Sequence, residues 1–237
     1  MDDGLTYSLE ARIRIALSAS AAQVSTAAAS IVPTYGEYGC PRGELVELAG
    51  QLAGAAGEAL TLAVACERRR GTSWARIAEV LDEDVTEVRQ RYEDSVDGLE
   101  RRLVEAWLDP ERASELPPGA DDPGTSAADL DEWLTGDSRL DDAFKHHPDS
   151  EIRTHPVSNG LAVMSLTEHR ELLASAARMA GQDGRTAQAE IGLRRQRIAL
   201  LEWLLAEELN DPRMAGDFDE DAIRTLLQAA RRQLAGQ

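Results

Sequence analysis

The arginines carry most of the chemistry that this sequence offers. Arg68, Arg69 and Arg70 are consecutive, and Arg76, Arg89 and Arg91 follow, with Thr86 and Gln90 beside the last two. A guanidinium presents a planar fork of donors that matches phosphate oxygens or a guanine edge, and glutamine pairs with adenine in the same way. A second set, Arg194, Arg195 and Arg197, lies in the C-terminal half. Histidines are fewer. His146, His147 and His155 with Asp149 resemble a metal cluster in composition, but their spacing fits no standard ligand pattern. The run Asp217-Phe218-Asp219-Glu220-Asp221 lacks the glycine and twelve-residue plan of a calcium loop; acid at a helix N-terminus accounts for it. There is no phosphate-cradling glycine loop and no nucleophile elbow. The expectation is therefore a non-enzyme with no cofactor and no metal.

The elements that would position these arginines centre on residues 68–92, RRRGTSWARIAEVLDEDVTEVRQRY. Trp74, Ile77, Ala78 and Leu81 mark one face of a short helix over 73–81. Asp82-Glu83-Asp84 reads as a turn, with Asp84 capping the next helix and Glu87 completing a capping box. A short helix, a tight turn and a second capped helix give a helix-turn-helix outline at 73–92. Thr86, Arg89 and Gln90 would then face base edges. Arg68, Arg69 and Arg70 would hold phosphates at the end of the preceding helix, with Arg76 on the motif itself.

The run Gly71-Thr72-Ser73-Trp74-Ala75-x-Ile77-Ala78-x-x-Leu81, then Arg91-Tyr92, resembles the helix-turn-helix of many small actinobacterial proteins. Those resemble the promoter-reading region of sigma factors, with a pattern near G-x-S-W-A-x-I-G-x-x-L-G-V-S and a second helix ending Arg-Phe or Arg-Tyr. The resemblance covers about residues 43–92 and implies DNA binding and transcription regulation, with Arg91 as a packing or phosphate group. Where the family has Gly-Val-Ser, this chain has Asp82-Glu83-Asp84.

Charge opposes that function. Residues 71–97 hold three arginines against eight carboxylates, a net of −5, on a segment that must approach phosphates. The whole chain carries −18 over 237 residues, and residues 71–151 hold −15 of it. An acidic stretch of this kind reads as a solvated linker, as a site for a basic protein partner through residues 121–151, or as a cover for the chain's own arginines.

Apolar residues make up 43% but aromatics only 4%, which suits packed helices. The expected fold class is mainly α. It comprises an N-terminal helical domain (1–108), an acidic flexible linker with a short amphipathic helix (109–150), and a small domain of a β-hairpin and about three helices (151–237). The first helix spans 5–31 and the second 43–70, where Gly50, Gly54 and Gly57 are expected to permit close packing on the first. Pro33 to Gly43 is a loop in which Tyr35, Tyr38 and Cys40 fold against the core. The stripe Val85, Val88, Tyr92, Val96, Leu99, Leu103 and Trp107 gives one long helix, its apolar side either core or a homodimer seam.

Four prolines within 109–129 mark the linker, and Leu130, Trp133, Leu134, Leu140 and Phe144 the amphipathic helix. Ser158-Asn159-Gly160 between EIRTHPV and LAVMSL signals the hairpin. Three C-terminal helices follow, a second place where a dimer could form. The N-terminus is acidic where a signal peptide would be basic, and no apolar run approaches ~18 residues. A cytoplasmic protein without membrane contact, with Cys40 and Cys66 as free thiols, is expected.

Two functions are compatible with these features. One is a DNA-binding helix-turn-helix protein, a transcriptional regulator or a plasmid- or phage-type accessory factor. The other is a non-enzymatic helical interaction module that keeps a degenerate helix-turn-helix and binds a basic partner.

Overall fold

The computed structural model describes residues 7–32, 41–136, 146–182, 187–210 and 220–235. The fold is mainly α-helical, and among the described residues the β structure is one isolated bridge, Tyr7 to Val163. The expectations for Tyr35, Tyr38, Cys40, Leu140, Phe144, Asp217 and Asp219 fall outside the described residues. Nine α-helices are described: α1 Leu9–Ile31, α2 Glu44–Arg69, α3 Trp74–Leu81, α4 Val85–Leu108, α5 Pro123–Gly136, α6 Ser150–Thr154, α7 Leu166–Gln182, α8 Ala187–Asn210 and α9 Glu220–Ala235. They fall into two compact units. Unit 1 comprises residues 1–101 and 114–163, and unit 2 residues 102–113 and 164–237.

In unit 1, Ser8 caps α1 by accepting from the Ala11 amide at 2.9 Å. Ile13, Ile15 and Ala16 go to the interior, and α1 packs mainly on α2. The stripe of α4 is core, not a seam: Val88, Tyr92, Val96 and Leu99 are buried within unit 1, and Leu103 and Trp107 within unit 2. Only Val85 at its start is exposed.

Two expectations for residues 109–166 are corrected. The segment 109–129 is not an unstructured linker. Pro110–Glu115 is a 3-10 turn, and α5 starts at Pro123 with Asp122 accepting from the Thr125 amide. Proline suits a first helical position because no amide hydrogen is needed there. Ala127 and Leu130 pack with Ile15 of α1. Gly119, at φ +91°, lies so close to α1 that a Cβ there would meet Ala19 and the Ile15 carbonyl at 3.3 Å. The buried Arg12 guanidinium donates to the Ala120 carbonyl at 2.7 Å. Burial pulls its pKa down, while Asp121 and Asp122 push it back up.

The hairpin expected at 151–166 is replaced by α6 and a 3-10 turn, Ser158–Gly160. The cause is Asp131, buried on α5. Its carboxylate accepts from the Val157 amide at 2.6 Å, the Ser158 amide at 3.3 Å and the Ser158 hydroxyl at 2.5 Å. Those amides are lost to a ladder, Pro156 has none to give, and Val163 pairs instead with Tyr7.

In unit 2, α8 packs on α9 through Ile198, Leu201, Ile223, Leu227 and Ala230, and on α7. These faces, expected as a possible dimer surface, are therefore occupied within the chain, although Leu226 stays exposed. Gln196 of α8 donates to the Trp107 carbonyl at 2.8 Å, and His169 of α7 sets its ring edge-on to Trp107 with centroids 5.2 Å apart. At Gly192 a Cβ would sit 2.4 Å from the Leu108 carbonyl oxygen.

The glycines of α2 do not permit close packing on α1. A Cβ on Gly50, Gly54 or Gly57 meets nothing within 4 Å. Helix α2 also meets, by length and composition, the requirement for crossing a membrane, contrary to the reading that no run approached it. Its most apolar window has a mean hydropathy of 1.3 and is 17% buried.

Glycine substitutions should therefore split by sign. Gly50→Ala, Gly54→Ala and Gly57→Ala each stabilise by about 0.5–1 kcal/mol in urea unfolding, whereas Gly192→Ala costs about 1–3 kcal/mol through overpacking. Equal signs at the two sites would contradict the packing described.

His169 gives a pH signature. Desolvation lowers its pKa, so below about 6.5 the unfolded chain takes up a proton before the native one. Its contribution is fully present above that pH and is lost as pH falls through the lowered native value. The stability gap between the wild type and His169→Asn should narrow between pH 8 and pH 5; a gap that widens would show the opposite linkage.

Candidate nucleic-acid interface

The α2–α4 region of unit 1 is built by local caps around a small apolar centre. Arg70 ends α2, and Gly71 takes φ +88°, turning the chain back. The Thr72 hydroxyl donates to Glu67 at 2.6 Å, and that bond is the main reason the Glu67 pKa falls. Ser73 caps α3, accepting from the Arg76 amide at 3.2 Å. Ile77 and Ala78 are buried, as are Val64, Ala65 and Cys66 of α2, and burial pushes the Cys66 thiol up to about 11.

Helix α3 ends at Asp82, the one described non-glycine residue with positive φ, at +53°. The Glu83 amide donates to the Ala78 carbonyl at 3.1 Å, closing the turn. Asp84 accepts from the Thr86 amide at 2.7 Å and the Glu87 amide at 3.3 Å, which lowers its pKa. Val88, fully buried, and Tyr92 then anchor α4. Thr86, Arg89 and Gln90, at spacings of three and one, share the exposed side opposite Val88.

The expected arginines lie on this framework, and carboxylates accompany most of them. Arg76 pairs with Glu79 at 2.7 Å, Arg89 with Glu93 at 2.7 Å and Arg91 with Glu83 at 2.8 Å. Hydrogen bonds to those carboxylates raise all three guanidinium pKa values. Arg70 lies 3.2 Å from Glu67 and 3.9 Å from Glu10, and Arg69 lies 3.9 Å from Glu100. Arg68 differs. It donates to the Thr72 carbonyl at 2.6 Å and covers the Trp74 ring at 4.8 Å, a cation–π contact.

Glu93 joins two of these groups: it accepts from Arg89, and Arg68 adds a weaker attraction that also lowers its pKa. Arg69 belongs to another neighbourhood, since Glu100 lies about 16 Å beyond Arg89 along α4. The pairs Arg76–Glu79 and Arg89–Glu93 were readable as i,i+3 and i,i+4 spacings. Arg91–Glu83 crosses the turn and leaves no such mark. The second arginine set lies in unit 2, where Arg194 approaches Glu190 at 3.7 Å.

The histidines are dispersed. His147 Nδ1 accepts from the Asp149 amide, His155 Nδ1 lies 3.6 Å from Asp131, and His169 sits in unit 2. Among the described residues no group of three His, Cys, Asp or Glu side chains could hold a metal ion. Three acids of 121–131 have intramolecular partners: Asp121 accepts from the Gly119 amide, Asp122 caps α5, and Asp131 holds the 157–158 backbone.

Compared with family models, with curated proteins and with solved structures, the chain matches none of them.

Proposed function

We propose that this chain is a DNA-binding helix-turn-helix protein, a transcriptional regulator or a plasmid- or phage-type accessory factor. The supporting observation is the common exposed side of Thr86, Arg89 and Gln90 at the start of a helix held from behind by Val88 and Tyr92. Helix α4 would enter the major groove with those three side chains toward base edges. Arg68, Arg69, Arg70, Arg76 and Arg91 would contact phosphates.

The turn supports the same reading. Asp82 takes the left-handed conformation where the similar actinobacterial proteins have glycine, and Asp84 caps α4 where they have serine. Glu83, in place of their apolar valine, accepts from Arg91 instead. Exposed ion pairs are screened by water and hold weakly, so phosphates can displace the carboxylates from Arg76, Arg89 and Arg91. The net charge of −5 makes the resulting affinity low and strongly salt-dependent.

The same ion pairs favour a second function, a helical interaction module that binds a basic protein through its carboxylate surplus. Selection from a random-sequence DNA pool at low and moderate salt separates the two. The full chain is required, because 114–163 belongs to unit 1. The DNA function predicts an enriched motif that is lost in Arg89→Ala/Gln90→Ala. Absence of enrichment at both salts would reject it and leave the interaction module.

A further inference from the structure

An apolar surface on unit 1 is used by neither function. Along α2, Val46, Gly50, Ala53, Gly57, Leu60 and Val64 recur at spacings of 4, 3, 4, 3 and 4, the repeat by which one helix lies along another. Helix α1 packs against the other side of α2, where Leu48, Leu52, Ala55 and Ala59 are half-buried. Val46 is 77% exposed and Leu60 38%. At Val64 the stripe runs into a groove of about 440 Å³ between α2 and α3, lined by Leu60, Ala63, Val64, Ile77, Val80 and Leu81. Val80, at 68% exposure, forms its outer lip. Stripe and groove are therefore continuous from Val46 to Val64 of α2, about 27 Å.

Charge selects the occupant. Glu47 and Glu58 stand on one flank of the stripe, eleven residues or about three turns apart, and both are exposed. Residues 48–57 between them carry no charge. Of the charged groups lining the groove, Glu67 and Arg76, the arginine is itself paired with Glu79. A second copy docked antiparallel would set Glu47 against the Glu58 of the other chain, and each chain brings −18; like charges at such positions oppose pairing. The uncharged run is flanked by acid on one side only.

We propose that this surface docks an amphipathic α-helix of another protein, apolar on the side that meets α2 and basic along one edge. Its apolar side chains lie over Gly50, Ala53 and Gly57, where no atom stands within 4 Å of a Cβ on either glycine, and a larger residue enters the α2–α3 groove. Its Lys or Arg side chains, eleven residues apart, pair with Glu47 and Glu58. The missing side chains at Gly50 and Gly57 let the helix axes approach closely, a benefit that packing within the chain does not draw on.

The test is selection from a phage-displayed library of 21-residue helical peptides, apolar at heptad positions and randomised at the flanks, against the full-length protein. The proposal predicts enrichment of peptides with Lys or Arg along one flank. Their affinity should fall at least tenfold in Glu47→Lys/Glu58→Lys, a change of exposed residues that leaves the circular dichroism spectrum intact. It should fall similarly in Gly57→Leu, which fills the approach surface. Four results would overturn it: no enriched peptide, enrichment without basic bias, binding unchanged by the double charge reversal, or cover of a different kind. The last would appear as a two-chain mass in light scattering that Val46→Glu halves, or as retention on phosphatidylcholine vesicles that Val46→Glu abolishes.

Discussion

The buried stripe of α4 is the constraint on which both units depend. Its first turns supply Val88, Tyr92, Val96 and Leu99 to unit 1, and its last turns supply Leu103 and Trp107 to unit 2. Burying a side chain of this size contributes about 1.5–3 kcal/mol each, which fixes the rotation of α4 about its axis. That rotation decides which residues face water. With Val88 inward, Thr86, Arg89 and Gln90 must face outward. The side proposed to read DNA is thus a consequence of core packing at the start of the same helix.

The acid surplus is the second organising feature, and much of it has a structural use. Asp131 replaces a β-ladder as the partner of the 157–158 backbone, Asp122 and Asp84 cap helices, and Asp121 with Asp122 offsets the buried Arg12. Glu79, Glu83 and Glu93 occupy the guanidiniums of α3 and α4. A phosphate must therefore compete with a carboxylate already in place. In the proposed DNA-binding role, that competition, more than the number of arginines, would set the affinity. Beside the charged face, α2 presents an apolar one with acid along a single flank, so the two surfaces of unit 1 call for different chemistry.

Local features of the sequence were legible and distant ones were not. The period of α4 and the capping role of Asp84 follow from neighbours within one or two turns, and the structure has them. The prolines and acids of 109–129 suggested a linker because their partners, Ile15, Ala19 and Arg12, lie about a hundred residues away on α1. Asn159-Gly160 signalled a hairpin, yet Asp131, over twenty residues earlier, had taken the amides that a ladder needs. Gly50, Gly54 and Gly57 suggested close packing on α1, but the face they open is turned away from it. At the candidate site the arginines were visible, while the Arg91–Glu83 pair across the turn was not.

The most direct measurement is the DNA affinity of the full chain as a function of salt, for the wild type and for Glu79→Gln/Glu83→Gln/Glu93→Gln. If carboxylates compete with phosphates for Arg76, Arg89 and Arg91, the triple substitution tightens binding at least tenfold at low salt. It should also steepen the fall of log K with log salt, because more guanidiniums then release counterions. Equal affinities and equal slopes, or no binding by either protein at low salt, would contradict a DNA-reading role for this face.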